Sequence, residues 1–219
     1  MPLKAVLFDL DGTLLDTAAD FRTALNRLLQ EERRPPLADK DVRVMVSNGS
    51  ANLVAQAFAI GSQHAEFESL RLRLLEHYAD CMLENTRPYP GMAESLEFIQ
   101  AQGKAWGIVT NKPQSFSDAI IAGLGMNPDI LICPEHTGKP KPDPAGIVLG
   151  CAKLKCAPEQ CLYIGDHKRD IDAGRAAGCK TMAAAYGYLE VNDNAKDWGA
   201  DWLLMKSTDL PQLLAEHLI

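Results

Sequence analysis

Four short segments of this 219-residue sequence carry residue types that can do chemistry together. Asp9-Leu10-Asp11-Gly12-Thr13 places two carboxylates at i and i+2 on an extended segment, hence on one side, and Gly12 permits a tight turn behind them. Two carboxylates this close repel, and a divalent cation would relieve the repulsion. Thr110-Asn111-Lys112 offers a hydroxyl and an amide able to hold phosphoryl oxygens, with a lysine beside them. In Lys139-Pro140-Lys141-Pro142-Asp143-Pro144 the prolines stiffen a loop that presents a lysine. Gly165-Asp166-His167-Lys168-Arg169-Asp170 sets Asp166 and Asp170 one turn apart on an opening helix, as oxygen ligands for Mg²⁺.

Each segment alone has an ordinary reading: Asp-x-Asp-Gly suits an Asx turn and Gly-Asp a helix N-cap. Their placement sets them apart, because each comes after an apolar run of strand length. Such runs fall at Lys4–Phe8, Ala105–Val109, Ile130–Cys133, Cys161–Ile164, Thr181–Ala185 and Trp202–Met205. Helical patterns at Met92–Gln102, Phe116–Leu124, Pro144–Leu154 and Asp170–Ala177 alternate with them, which predicts an α/β fold with a doubly wound parallel sheet. In such sheets ligands bind beyond the carboxyl ends of the strands, where the four segments lie.

Between the first two strands the pattern changes. Residues 16–87 read as all helix: Phe21, Leu25, Leu28 and Leu29 form one stripe behind a Thr17-x-x-Asp20 capping signal, and Leu70, Leu74, Leu75 and Tyr78 form another. Pro35-Pro36 and Asn48-Gly49-Ser50 interrupt these helices. A helical block far longer than an ordinary connection predicts an inserted all-helical cap at 16–87 on a core made of 1–15 and 88–219.

This set of segments resembles the four motifs of the haloacid dehalogenase-like hydrolases over essentially the whole chain, and the insert resembles that superfamily's helical C1 cap. The resemblance implies Asp9 as nucleophile, Asp11 as general acid/base and Thr110 and Lys141 as phosphate holders. It also implies Mg²⁺ held by Asp9, the Asp11 backbone carbonyl and Asp166, with Asp170 supporting the metal site. The expected reaction is phosphomonoester hydrolysis through an aspartyl phosphate. Both aspartates beside a complete metal site speak against the dehalogenase branch. Arg43, Asn48 and Ser50 in the cap, with Asn111, Lys112 and His136 on core loops, are candidate substrate contacts.

Core and cap also resemble the phosphoglycolate phosphatase group. More narrowly, Leu131–His136 and the run from Tyr186 to Asp201 resemble the N-acetylmuramic acid 6-phosphate phosphatases of cell-wall recycling, so the expected substrate is that sugar phosphate, with 2-phosphoglycolate second. A phosphomutase shares the first chemical step. A phospho-accepting receiver module takes its acceptor from a later strand and lacks the insert, and no phosphate-binding glycine motif of a nucleotide enzyme occurs.

A net charge of −7 without a basic stripe argues against nucleic-acid and anionic-membrane partners. No signal-peptide or membrane-spanning run stands out, and the six cysteines form no Cys-x-x-Cys pair, which suits a reducing, cytoplasmic setting. The spacing of Cys151, Cys156 and Cys161 favours buried thiols over a zinc site.

Overall fold

The computed structural model describes residues 2–217. It divides into two compact units, one of Met1–Leu15 with Pro88–Ile219 and one of Asp16–Arg87. The chain leaves the first through the short strand β2 (Leu15–Asp16) and returns through β3 (Arg87–Pro88), and these two strands pair with each other. They are strand at the ends of a stretch whose sequence pattern is all helix.

The first unit is built on a six-stranded parallel sheet. Its strands are β1 (Ala5–Phe8), β4 (Ala105–Val109), β5 (Ile130–Ile132), β6 (Cys161–Gly165), β7 (Lys180–Ala184) and β8 (Trp202–Leu204), in the order β5-β4-β1-β6-β7-β8. Every residue of β1 and β6 is buried, which is why both read as unbroken apolar runs rather than alternating ones. Helices α5 (Met92–Ala101), α6 (Gln114–Gly123), α7 (Ala145–Lys153) and α8 (Lys168–Ala177) connect successive strands, and α9 (Leu210–His217) comes after the last. The strand order reverses at β1, so the crevice beyond its carboxyl end lies between loops that diverge from one another.

The second unit holds α1 (Ala18–Glu31), α2 (Asp39–Val46), α3 (Gly49–Phe58) and α4 (Phe67–Cys81). The α1 stripe packs on α4, where Phe21 stacks on Tyr78 with ring centroids 3.8 Å apart. The capping signal of α1 is corrected: the Thr17 side chain makes no capping hydrogen bond. Asp20 instead turns into the unit and accepts from Asn85 N (2.9 Å), Asn85 Nδ2 (3.0 Å), Thr86 N (2.8 Å) and Thr86 Oγ1 (2.7 Å). Four donors from a distant segment outweigh the local cap. Among the described residues no helix is long and apolar enough to cross a membrane.

Candidate active site

Asp9 is the first residue beyond β1, and its N–H donates to Ile164 O of the neighbouring strand at 2.9 Å. The chain then turns back tightly, with Leu14 N and Leu15 N both donating to Leu10 O. Gly12 sits in that turn at φ +81°, and a Cβ there would stand 2.1 Å from Asp166 Oδ2. Glycine is therefore required both by the backbone and by the carboxylate pressed against it.

Asp166 lies just past β6 and is buried, with Oδ1 accepting from Thr13 Oγ1 (3.1 Å) and Oδ2 from Tyr188 N (2.7 Å). It precedes α8 rather than opening it, because His167 is the N-cap of that helix. Asp170, in the first turn of α8, is fully buried, and its Oδ2 accepts from His167 N at 3.1 Å. Carboxylate oxygens of Asp9, Asp166 and Asp170 all lie within 4.8 Å of one another.

Lys141 threads into this cluster. Its Nζ lies 2.8 Å from Asp9 Oδ1 and 2.7 Å from Asp170 Oδ1, and donates to Val109 O (3.1 Å) and Tyr163 Oη (2.8 Å). Tyr163 in turn donates to Val109 O at 2.8 Å. Burial works against the lysine's charge, but Asp170 and Asp9 outweigh it and raise the Lys141 pKa. The carboxylates are less well compensated. Burial, reinforced by the charges of Asp9 and Asp170, pushes Asp166 up to about 8, and burial also raises Asp170 against the pull of Lys141. Buried oxygen donors short of positive charge fit a hard divalent cation.

The remaining sequence candidates divide. Thr110, directly after β4, is buried, and its Oγ1 accepts from Lys112 N at 3.1 Å, which leaves the hydroxyl proton to donate elsewhere. The Asn111 side chain is committed to the main chain of Lys141, so the amide holds a loop in place rather than standing open to a phosphoryl oxygen. Lys112 Nζ lies 3.0 Å from Asp11 Oδ1 and 3.3 Å from Oδ2. The Asp11 side chain thus faces a lysine and is outside the carboxylate cluster. His136 is exposed, and its Nδ1 accepts from Cys133 N at 2.9 Å, so the ring is folded back on its own turn. Arg43 and Asn48 belong to the helical unit, where Arg43 pairs with Asp16 at 2.9 Å and Asn48 precedes α3.

Three contributors escape sequence reading. Thr13 and Tyr188 hold Asp166, the latter through a backbone N–H that no side chain announces. Tyr163 could have been found: a tyrosine in an otherwise apolar buried strand needs a partner for its hydroxyl.

A family model described as haloacid dehalogenase-like hydrolase matches residues 6–184. The chain belongs to the haloacid dehalogenase-like hydrolases. Among curated members, it is 42% identical to the N-acetylmuramic acid 6-phosphate phosphatase of Pseudomonas aeruginosa over 220 residues, covering 100% of this chain and 97% of the relative. The enzyme of the same name from Pseudomonas putida is also 42% identical, with 100% and 99% covered. A phosphoglycolate phosphatase of Xanthomonas campestris is 36% identical, with 94% of each chain covered. Among solved haloacid dehalogenase-like structures, a predicted phosphoglycolate phosphatase from Haemophilus somnus superposes with a TM-score of 0.84 at 27% identity, covering 96% of this chain and 97% of the other.

Proposed function

We propose that this protein is a Mg²⁺-dependent phosphomonoester hydrolase that works through an aspartyl phosphate on Asp9, with N-acetylmuramic acid 6-phosphate as its substrate. The observation that carries the chemistry is the Asp9 carboxylate at the sheet's switch point, held beside the buried Lys141 ammonium at 2.8 Å. What carries the substrate is full-length identity of 42% to two enzymes of that name, against 36% for a phosphoglycolate phosphatase.

An Asp9 oxygen attacks phosphorus, and a bond to it forms as the ester P–O bond breaks in line. Asp11 gives a proton to the departing alkoxide. It then takes one from water, whose oxygen attacks the same phosphorus and frees Asp9 and inorganic phosphate. To reach the leaving group, Asp11 exchanges its contact with Lys112. Thr110 donates to a phosphoryl oxygen, while Lys141 holds Asp9 in orientation and supplies positive charge to the transferring group. Asp9, the Asp11 carbonyl and Asp166 would hold Mg²⁺, with Asp170 in support through Lys141, and the ion when bound supplies further charge to the phosphoryl oxygens.

The helical unit takes the part of a C1 cap, with Arg43 and Asn48 as readers of the leaving group. Six free, buried cysteines accord with a cytoplasmic setting.

The test is phosphate release from purified protein in Mg²⁺. N-acetylmuramic acid 6-phosphate should be cleaved with kcat/KM at least about tenfold above 2-phosphoglycolate, about 1.4 kcal/mol of transition-state binding. A preference for 2-phosphoglycolate would overturn the substrate and leave the phosphatase chemistry standing.

A further inference from the structure

Four of the six cysteines meet in the core unit, away from the carboxylates. Cys151 lies in α7, Cys156 in the loop after it, Cys161 opens β6, and Cys179 precedes β7. Cys161 and Cys179 are thus at the amino ends of their strands, opposite the end that carries Asp9 and Asp166. The sulfurs of Cys151, Cys161 and Cys179 are all within 4.8 Å of one another, and those of Cys151 and Cys179 are 3.8 Å apart. Cys156 packs in the same core cluster, but its thiol donates to the Cys151 carbonyl at 3.7 Å. The sequence spacing of Cys151, Cys156 and Cys161 offers no reason to add Cys179, which the fold supplies as a fourth.

We propose that the sulfurs of Cys151, Cys161 and Cys179 form a binding site for a thiophilic closed-shell cation, Zn²⁺ first among them, separate from the carboxylate site. A tetrahedral ion with Zn–S bonds of about 2.3 Å sets its sulfurs about 3.8 Å apart, the spacing found between Cys151 and Cys179. The two clusters sort ions by softness: oxygen donors alone at one end of the sheet, sulfur alone at the other, lined by Ala5, Leu7, Ile147 and Ala173. Each metal–sulfur bond forms as an S–H bond breaks, and the proton passes to solvent. The bound ion would tie α7, β6 and the segment between α8 and β7 into one unit.

The protein is purified from zinc-supplemented culture, held in excess Mg²⁺ to occupy the carboxylate site, and assayed for zinc and for the sulfur-to-metal charge-transfer absorption of its Co²⁺ form. About one zinc per chain and a charge-transfer band are expected, with both lost in Cys161→Ser and kept in Asp166→Asn. Should Cys161→Ser fail to fold, metal-free wild type titrated with Zn²⁺ decides: the ion should release protons, raise the Tm and shield Cys151, Cys161 and Cys179 from alkylation. The proposal is overturned if wild type takes up no zinc and Co²⁺ gives no band, if zinc tracks Asp166 rather than Cys161, or if a Cys151–Cys179 disulfide is found.

Discussion

The side-chain amide of Asn111 spans the main chain of Lys141: Oδ1 accepts from Lys141 N at 2.8 Å and Nδ2 donates to Lys141 O at 3.0 Å. A side chain two residues beyond β4 thereby fixes the loop that delivers an ammonium to Asp9. Asn111→Ala should lower kcat on p-nitrophenyl phosphate about tenfold to a hundredfold, because small displacements of a charged group weaken its fit to the transition state. KM should move much less. An unchanged kcat would remove Asn111 from any positioning role.

Replacing Asp9 by Asn preserves shape and removes the nucleophile, since an amide oxygen forms no stable acyl phosphate. Turnover should fall below about a hundredth of wild type with the fold intact by circular dichroism. Activity above that level counts against Asp9.

Metal-free protein should lose stability as pH rises. Asp166 is held up to about 8 by burial and by Asp9 and Asp170, whereas an unfolded aspartate titrates near about 4. Between those values the folded state carries a proton that the unfolded state lacks, so the stability this group gives at low pH is lost as pH climbs through the folded pKa. In EDTA the Tm should therefore fall between pH about 5 and about 8, and excess Mg²⁺ should flatten the slope. A slope unaltered by Mg²⁺, or equal in Asp166→Asn, would refute this account.

Asp20→Ala should destabilise the helical unit by about 3 kcal/mol, because the buried backbone N–H and hydroxyl of Thr86 lose their charged acceptor. Urea unfolding gives the size of the effect. Limited proteolysis should locate it, with new cleavage inside residues 16–87.

The strands were legible because burial on both faces leaves Ala5–Phe8 wholly apolar and Cys161–Gly165 apolar but for the Tyr163 hydroxyl. Asp9, Asp166 and Asp170 could be singled out because an open parallel sheet gathers, at one edge, the residues just past the carboxyl ends of its strands. What local pattern could not convey is competition from distant partners. Thr17-x-x-Asp20 has the form of a cap, yet Asp20 is claimed by residues 65 and 66 positions away. Asn111 and Lys112 have the chemistry to meet a phosphate, yet their side chains are engaged by the Lys141 main chain and by Asp11. The convergence of Cys179 on Cys151 likewise depends on the packing of α7 beside α8.

The Lys141 ammonium among Asp9, Asp166 and Asp170 also fixes an account of valence. With all three carboxylates ionised, three negative charges and one positive leave two unmatched, while Asp11 and Lys112 cancel one another separately. A dication brings this pocket to neutrality, whereas a monovalent ion leaves it anionic and a trivalent one overshoots. The surplus positive charge left for a phosphate dianion is then that of Lys112, once Asp11 carries its proton and leaves it. Directed hydrogen bonds, such as the one Thr110 can donate, add a holding force that is sensitive to shape as well as to charge.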